Sequence, residues 1–234
     1  MNKVIVEKND GYAVVSLNRP DSMNALSREL RDDFVAALED CQADEAIQVL
    51  IITGKGKAFS AGFDLKTFAS GDMEKISKMS DLGMRFMYDI FTFPRPVIAA
   101  LTGHTVAMGL FVACGCDYRI GLKGEFVAQA NEVRNNMDIP TSIMQIAASR
   151  ISKRHAYSVL LHADPFSFAN AVDAGIIDEV VEEQSLEDAS LEKAKYLATM
   201  GHPSYSMTKE LLIAEPMQKI NDAIKEAQLK NNSI

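Results

Sequence analysis

Several features that mark specialised proteins are missing from this chain. It carries only three cysteines in 234 residues, Cys41, Cys114 and Cys116, too few for a disulfide framework. Cys114-Gly-Cys116 lacks the spacing of a CxxC redox or zinc pair, so the three read as buried thiols of a reducing compartment. The four histidines, at 104, 155, 162 and 202, show no metal-ligand spacing. There is no phosphate loop, dinucleotide fingerprint or nucleophile elbow. No apolar run approaches a membrane span, the amino terminus shows no signal-peptide core, and the last residues match no targeting tripeptide. A cytoplasmic protein without a membrane partner is the expectation. Positive charge is also in short supply. A formal net charge of −8 argues against nucleic acid as partner, and a negatively charged substrate would need local donors or cations.

What remains is an ordinary globular composition, 47% hydrophobic and 24% charged, at a length that supports a sizeable core. Runs at Val4–Glu7 and Tyr12–Leu17 around Asn9-Asp10-Gly11 predict a hairpin. Ser27 predicts the N-cap of a helix to about Cys41, with Leu30, Phe34, Leu38 and Cys41 on one face. Val49–Thr53 and Val97–Leu101 read as buried strands, and another strand begins at Tyr118. A helical pattern over 72–91 carries Ile76, Met79, Phe86, Met87 and Ile90, its methionines suiting either a core or a flexible acyl pocket. Further helices are predicted over Gly109–Cys116, 141–150, 153–161 and 168–174, the last ending at Gly175. A final strand is predicted over Ile176–Val181, then helices over 186–199 and 204–229 with a break at Glu215-Pro216. Asp117 and Arg119 are expected to pair with each other. Strands early and helices late imply an α/β core over 1–185 and a helical region over 186–234 whose amphipathic faces suit self-association.

The most informative stretch is Ala58-Phe-Ser-Ala-Gly-Phe-Asp-Leu65, which follows a buried strand and the loop Gly54-Lys-Gly-Lys57. Small residues at 60–62 permit close approach of backbone or ligand. A main-chain N–H just after such a kink suits a developing oxyanion. A second strand–glycine corner–helix passage recurs over 97–116.

With this stretch come Leu17-Asn-Arg-Pro20 and Met23-Asn-Ala-Leu26, Arg95-Pro-Val-Ile-Ala-Ala-Leu-Thr-Gly103, Cys116-Asp-Tyr-Arg-Ile120, and Asn131-Glu-Val133. In this order and spacing the chain resembles, over essentially its whole length, the crotonase superfamily of enoyl-CoA hydratases and isomerases. The resemblance implies a spiral of ββα units, assembly as trimers or pairs of trimers, and an acyl-CoA thioester substrate with no separate cofactor. It places two main-chain oxyanion donors on Phe63 and on Met108, where the family usually has glycine. Hydratases of the family use two glutamates. The first position here is Phe111, which cannot move a proton, and the second is Glu132. Lacking the first carboxylate is the pattern of Δ3,Δ2-enoyl-CoA isomerases, so isomerase is preferred over hydratase. Hydrolysis or dehalogenation through Asp138, a possible second acid, and a catalytically silent CoA-binding relative remain as alternatives. For coenzyme A the resemblance implies contacts at Met23 and Ala25 and along Ala61, Asp64, Leu65 and Lys66. His104 either faces the pocket or holds a structural hydrogen bond.

Overall fold

In a computed structural model of the chain, residues 2–64, 85–182, 185–200 and 202–231 are described, the last five by their backbone only. Leu65, Lys66, Ile76 and Met79 lie outside the described residues. The predicted hairpin forms from β1 (Val4–Asn9) and β2 (Gly11–Leu17), with Gly11 at φ +83° in its turn. Ser27 caps α1 (Arg28–Ala43), its hydroxyl accepting the Leu30 N–H at 3.3 Å. Arg95 closes the other end, donating to the carbonyls of Cys41, Gln42, Asp44 and Ile47. The first three are acceptors that a helix end leaves over, and the fourth belongs to the start of the next strand.

The chain then winds as a spiral. β3 (Ile47–Gly54) leads to β4 (Ala58–Ser60), and the first turn is helical again over 85–91, here α2. The second turn is β5 (Val97–Leu101), β6 (His104–Val106) and α3 (Met108–Gly115). The third is β7 (Tyr118–Leu122), β8 (Val127–Gln129) and, after a loop, α4 (Thr141–Ala148). The first strand of each turn joins a six-stranded sheet, order β1-β2-β3-β5-β7-β10, with β10 at Glu179–Val181. The second joins a four-stranded sheet, order β4-β6-β8-β9, with β9 at Phe166–Ser167. Equivalent strands of successive turns pair in parallel in both sheets. A π-helical turn (Tyr157–Leu161), β9 (Phe166–Ser167), α5 (Phe168–Asp173) and β10 (Glu179–Val181) follow. The chain ends in α6 (Leu186–Ala198), α7 (His202–Leu212) and α8 (Ala214–Asn231).

Strand alternation sorts the large sheet's side chains into two cores. Leu50, Ile52, Val97, Ala99 and Leu101 meet α1 and α3 on one face. Val49, Ile51, Ile98, Ala100 and Ile120 meet Leu186 and Ala194 of α6 on the other. The helical region beginning at 186 thus packs in part on this chain's own sheet. Tyr196, Met207, Leu211 and Leu212 in the same region are exposed. All eight residues of α3 are buried, as a helix apolar on every side must be.

Four expectations need correction. Asp117 and Arg119 do not pair: Arg119 forks onto Asp178, while Asp117 holds Arg150 and Lys209. They neighbour in sequence, but across a strand start they serve different elements. Lys209, 7% exposed, also donates to the Phe93 carbonyl, tying α7 to the head of β5. The final strand is shorter than predicted, because the amides of Ile176 and Ile177 both donate to Ala171 O and close α5 instead. Only Tyr157–Leu161 of the helix predicted over 153–161 forms as an element. The last helical break falls at Ile213, and Pro216 sits in the first turn of α8, where a missing N–H is harmless.

Candidate active site

Three parallel strands of the small sheet, β4, β6 and β8, end side by side, and each hands the chain to a segment singled out from the sequence. The first corner leaves β4 at Ser60, which is fully buried. Its hydroxyl donates to Asn24 O at 3.0 Å and accepts the Gly62 N–H at 3.2 Å. Ala61 N donates to Met23 O, and Leu26 N to Gly62 O at 2.7 Å, while Leu26 and Phe63 form a short parallel bridge. Gly62 has φ +84°, a conformation that favours glycine.

The second corner leaves β6 at Val106. Ala107 N donates to Gln129 O, the last carbonyl of β8, at 2.8 Å. Ala107 itself holds φ +50° and ψ −133°, a strained setting for a residue with a side chain. The turn delivers Met108 as the first residue of α3, so its N–H belongs to the first helical turn, which has no intrahelical acceptors. The positive end of the helix dipole lies there as well. The two corners touch. A Cβ on Gly62 would stand 2.7 Å from Ala107 Cβ and 2.8 Å from Met108 N, and one on Gly109 would overlap the Ser60 carbonyl. The Met108 side chain is buried in the main core, so the position accommodates a side chain without glycine.

The third segment leaves β8 at Gln129 and reaches Glu132 three residues later. The Glu132 carbonyl accepts the amides of Asn135 and Met137, both at 2.9 Å, which fixes the short 3-10 turn Val133–Asn135 behind it. Its carboxyl is largely buried, and Oε2 has no hydrogen-bond partner among the described residues. Burial pushes this carboxyl up to about 7, against a smaller opposite pull from its own amide. Such a group exchanges protons readily near neutral pH.

The remaining predicted residues divide. Phe111, one turn along α3 from Met108, is buried in the core. Met23 and Ala25 flank Asn24 in a loop where Met23 and Asn24 both have positive φ, and Met23 is exposed. Asp64 pairs with Arg19 at 3.0 Å. Asp138 is exposed and borders an apolar cleft of about 510 Å³ with Met137, Ile139, Met144, Tyr157 and Leu161. Glu132, Phe63 and Met108 are not in its lining. His104 takes the structural role: Nδ1 accepts the Val127 N–H at 3.3 Å, and the ring meets Phe126 edge-on. The three thiols are buried and free, with burial pushing Cys114 to about 11 and Cys116 to about 12.

Two residues were missed from the sequence. Asn24, fully buried, donates to Lys55 O and Ala58 O and accepts the Arg19 N–H, joining the loop at 19–26 to both ends of β4's approach. Arg19 donates to Ala25 O as well as to Asp64. Both lie inside motifs quoted above, but their partners are distant in sequence.

Among the described residues no helix is long and apolar enough to cross a membrane, and no group of three or more acidic, histidine or cysteine side chains could hold a metal. The family model for enoyl-CoA hydratase/isomerase matches residues 7–233. A protein of Thermus thermophilus provisionally named enoyl-CoA hydratase is 31% identical over 233 residues, covering 97% of this chain and 90% of that one. A Mycobacterium tuberculosis structure described as an apo enoyl-CoA isomerase superposes with TM-score 0.89 at 29% identity, covering 96% of each chain. Another, described as a probable enoyl-CoA hydratase of the same organism, gives TM-score 0.91 at 29% identity, covering 98% of this chain and 96% of that one. With the paired parallel corners and the spiral of ββα turns, these matches establish that the chain belongs to the enoyl-CoA hydratase/isomerase family of the crotonase superfamily.

Proposed function

We propose that the protein shifts the double bond of a 3-enoyl-CoA to the 2-position. The thioester oxygen sits between the amides of Phe63 and Met108, and Glu132 moves the proton. The α-proton of a thioester is too weakly acidic for an unaided carboxylate. Two amides aimed at the carbonyl oxygen stabilise the dienolate, each worth about 10²–10³ in rate in comparable sites. Glu132 takes the proton from C2 as carboxylate and returns it at C4 as acid, a contribution of roughly 10²–10⁴. Coenzyme A enters as part of the substrate, against the loop at Met23 and Ala25 and the strip from Ala61 through Asp64 to Leu65 and Lys66. Assembly through the exposed apolar faces of the terminal helices, as a trimer or pair of trimers in the cytoplasm, completes the reading.

The observation that carries it is the largely buried Glu132 carboxyl, raised to about 7, while the position of a second glutamate is a core phenylalanine. One carboxyl suffices for a proton shuttle. Syn-hydration of a 2-enoyl-CoA also requires an oriented water, and one carboxyl manages both only with help. The names of the relatives favour hydratase as the second reading. Offering 3-enoyl-CoA and 2-enoyl-CoA separately, with mass detection of a water adduct, separates the two. Glu132→Gln is expected to abolish turnover while CoA thioesters still bind; full activity in that variant defeats the assignment. Asp138→Asn, run alongside, is expected to retain turnover. Binding without turnover of either substrate by the native protein would instead make it a silent CoA-binding relative. Because Glu132 must be ionised to accept the C2 proton, kcat/KM is expected to rise with pH through about 7.

A further inference from the structure

We propose that Gln129 is a positioning residue for the second oxyanion donor, acting through Ala107. The inference rests on the two-amide reading above and says what aims the amide of Met108. Among the described residues two alanines hold positive φ, Ala107 at +50° and Ala163 at +54°. That region is sparsely used by residues with a Cβ, and strain there persists only where neighbouring groups hold it. Gln129 is bonded to both alanines. Its carbonyl accepts the Ala107 N–H at 2.8 Å, and its side-chain Nε2 donates to the Ala163 carbonyl at 2.7 Å.

The place of Gln129 in the small sheet gives its side chain this task. β8 is three residues long, and Gln129 is its last, opposite Val106 of β6. On the other side the ladder with β9 pairs Val127 with Ser167 and Ala128 with Phe166. One residue further on, the Gln129 side chain takes over that connection, reaching the buried Ala163 three residues before β9. One residue thus braces the end of β8 from both sides. The bond from Ala107 to Gln129 O fixes the peptide plane that enters Ala107. A peptide unit is rigid, so the direction of the next N–H, that of Met108, is set by the φ and ψ of Ala107. Losing the brace lets the Gln129 carbonyl retreat and Ala107 relax towards an unstrained backbone, which turns the Met108 N–H. A donor must be placed within about 0.5 Å to act.

The test uses the full-length protein with a 2-enoyl-CoA carrying a ¹³C label at the thioester carbonyl, read by infrared difference spectroscopy on binding. In the native protein the carbonyl stretch is expected to move to lower frequency. Gln129→Met keeps the length of the side chain and removes the donor. There the displacement is expected to shrink and kcat to fall roughly 10-fold with KM little changed, a fraction of what a misplacement of about 1 Å can cost. Gln129→Glu keeps the shape and guards against loss of folding, but at neutral pH its carboxylate accepts and cannot donate to the Ala163 carbonyl. It is expected to lose the displacement likewise. Gln129→Lys, which keeps an N–H donor of similar reach, is expected to restore part of it. A merely structural role lowers Tm in the first two variants and leaves the carbonyl stretch where the native protein puts it; that result overturns the inference alone. An undisplaced carbonyl in the native protein overturns the two-amide reading and the inference with it.

Discussion

The corners at 60–63 and 106–109 leave neighbouring parallel strands and each delivers one main-chain amide, yet they are built differently. The first puts glycine where φ is positive and surrounds it with bonds from the loop at 19–26. The second puts alanine at φ +50° and is held by Gln129 O on one side and a buried helix on the other. The difference has a steric origin. Gly62 faces the second corner, so a Cβ there would run into Ala107 and Met108 N. The Ala107 methyl stands where a Cβ on Gly62 would meet it, and it fits because glycine leaves the room. Strain is tolerated at one corner because the other has no side chain.

The largest effect is expected from putting a side chain on the crowded side. Gly62→Ala should push the two amides apart and lower kcat by ~10²-fold or more, measured in steady state, since both proposed donors move. Retained activity would mean that the contact between the corners is not needed. Next, Asn24→Ala strips the first corner of its buried bracket, leaving the carbonyls of Lys55 and Ala58 and the Arg19 amide without it. A loss of about 1–3 kcal/mol in denaturant unfolding is expected. The third segment responds to pH. The folded-state value of Glu132, about 7, lies above its ordinary 4.5, so its contribution to stability is complete below 4.5 and is lost as pH rises through 7. Glu132→Gln should flatten the Tm profile over that window; an unchanged slope would show that the carboxyl is not buried as described. The smallest effect is Ala107→Gly. It releases the strain at the second corner and is expected to raise stability by about 1 kcal/mol, the relief being offset partly by a freer unfolded chain. A loss of stability there would show that the alanine conformation is relaxed.

Much of this was legible beforehand because it is local. The hairpin at Asn9-Asp10-Gly11, the cap at Ser27 and the strand at Val97–Leu101 follow from turn chemistry, hydroxyl capping and apolar runs. The small sheet was not legible. His104–Val106, Val127–Gln129 and Phe166–Ser167 are two or three residues long, too short to show a period, and form only because neighbouring turns of the spiral stack. The ion pairs failed for a related reason. Asp117 and Arg119 are close in sequence, whereas their partners Lys209 and Asp178 arrive from late in the chain.

By itself, then, the sequence determined the large-sheet strands, the helices that cover them and the glycines at tight places, since period and backbone freedom reside in a few adjacent residues. Family membership was readable from motif order for the same reason. Only the tertiary structure decided that the ends of β4, β6 and β8 converge, that Ala107 bears positive φ, and that Glu132 is shielded enough to titrate near 7. Those are properties of segments brought together from distant parts of the chain, where close packing and lost hydration set the chemistry and no single stretch carries the information.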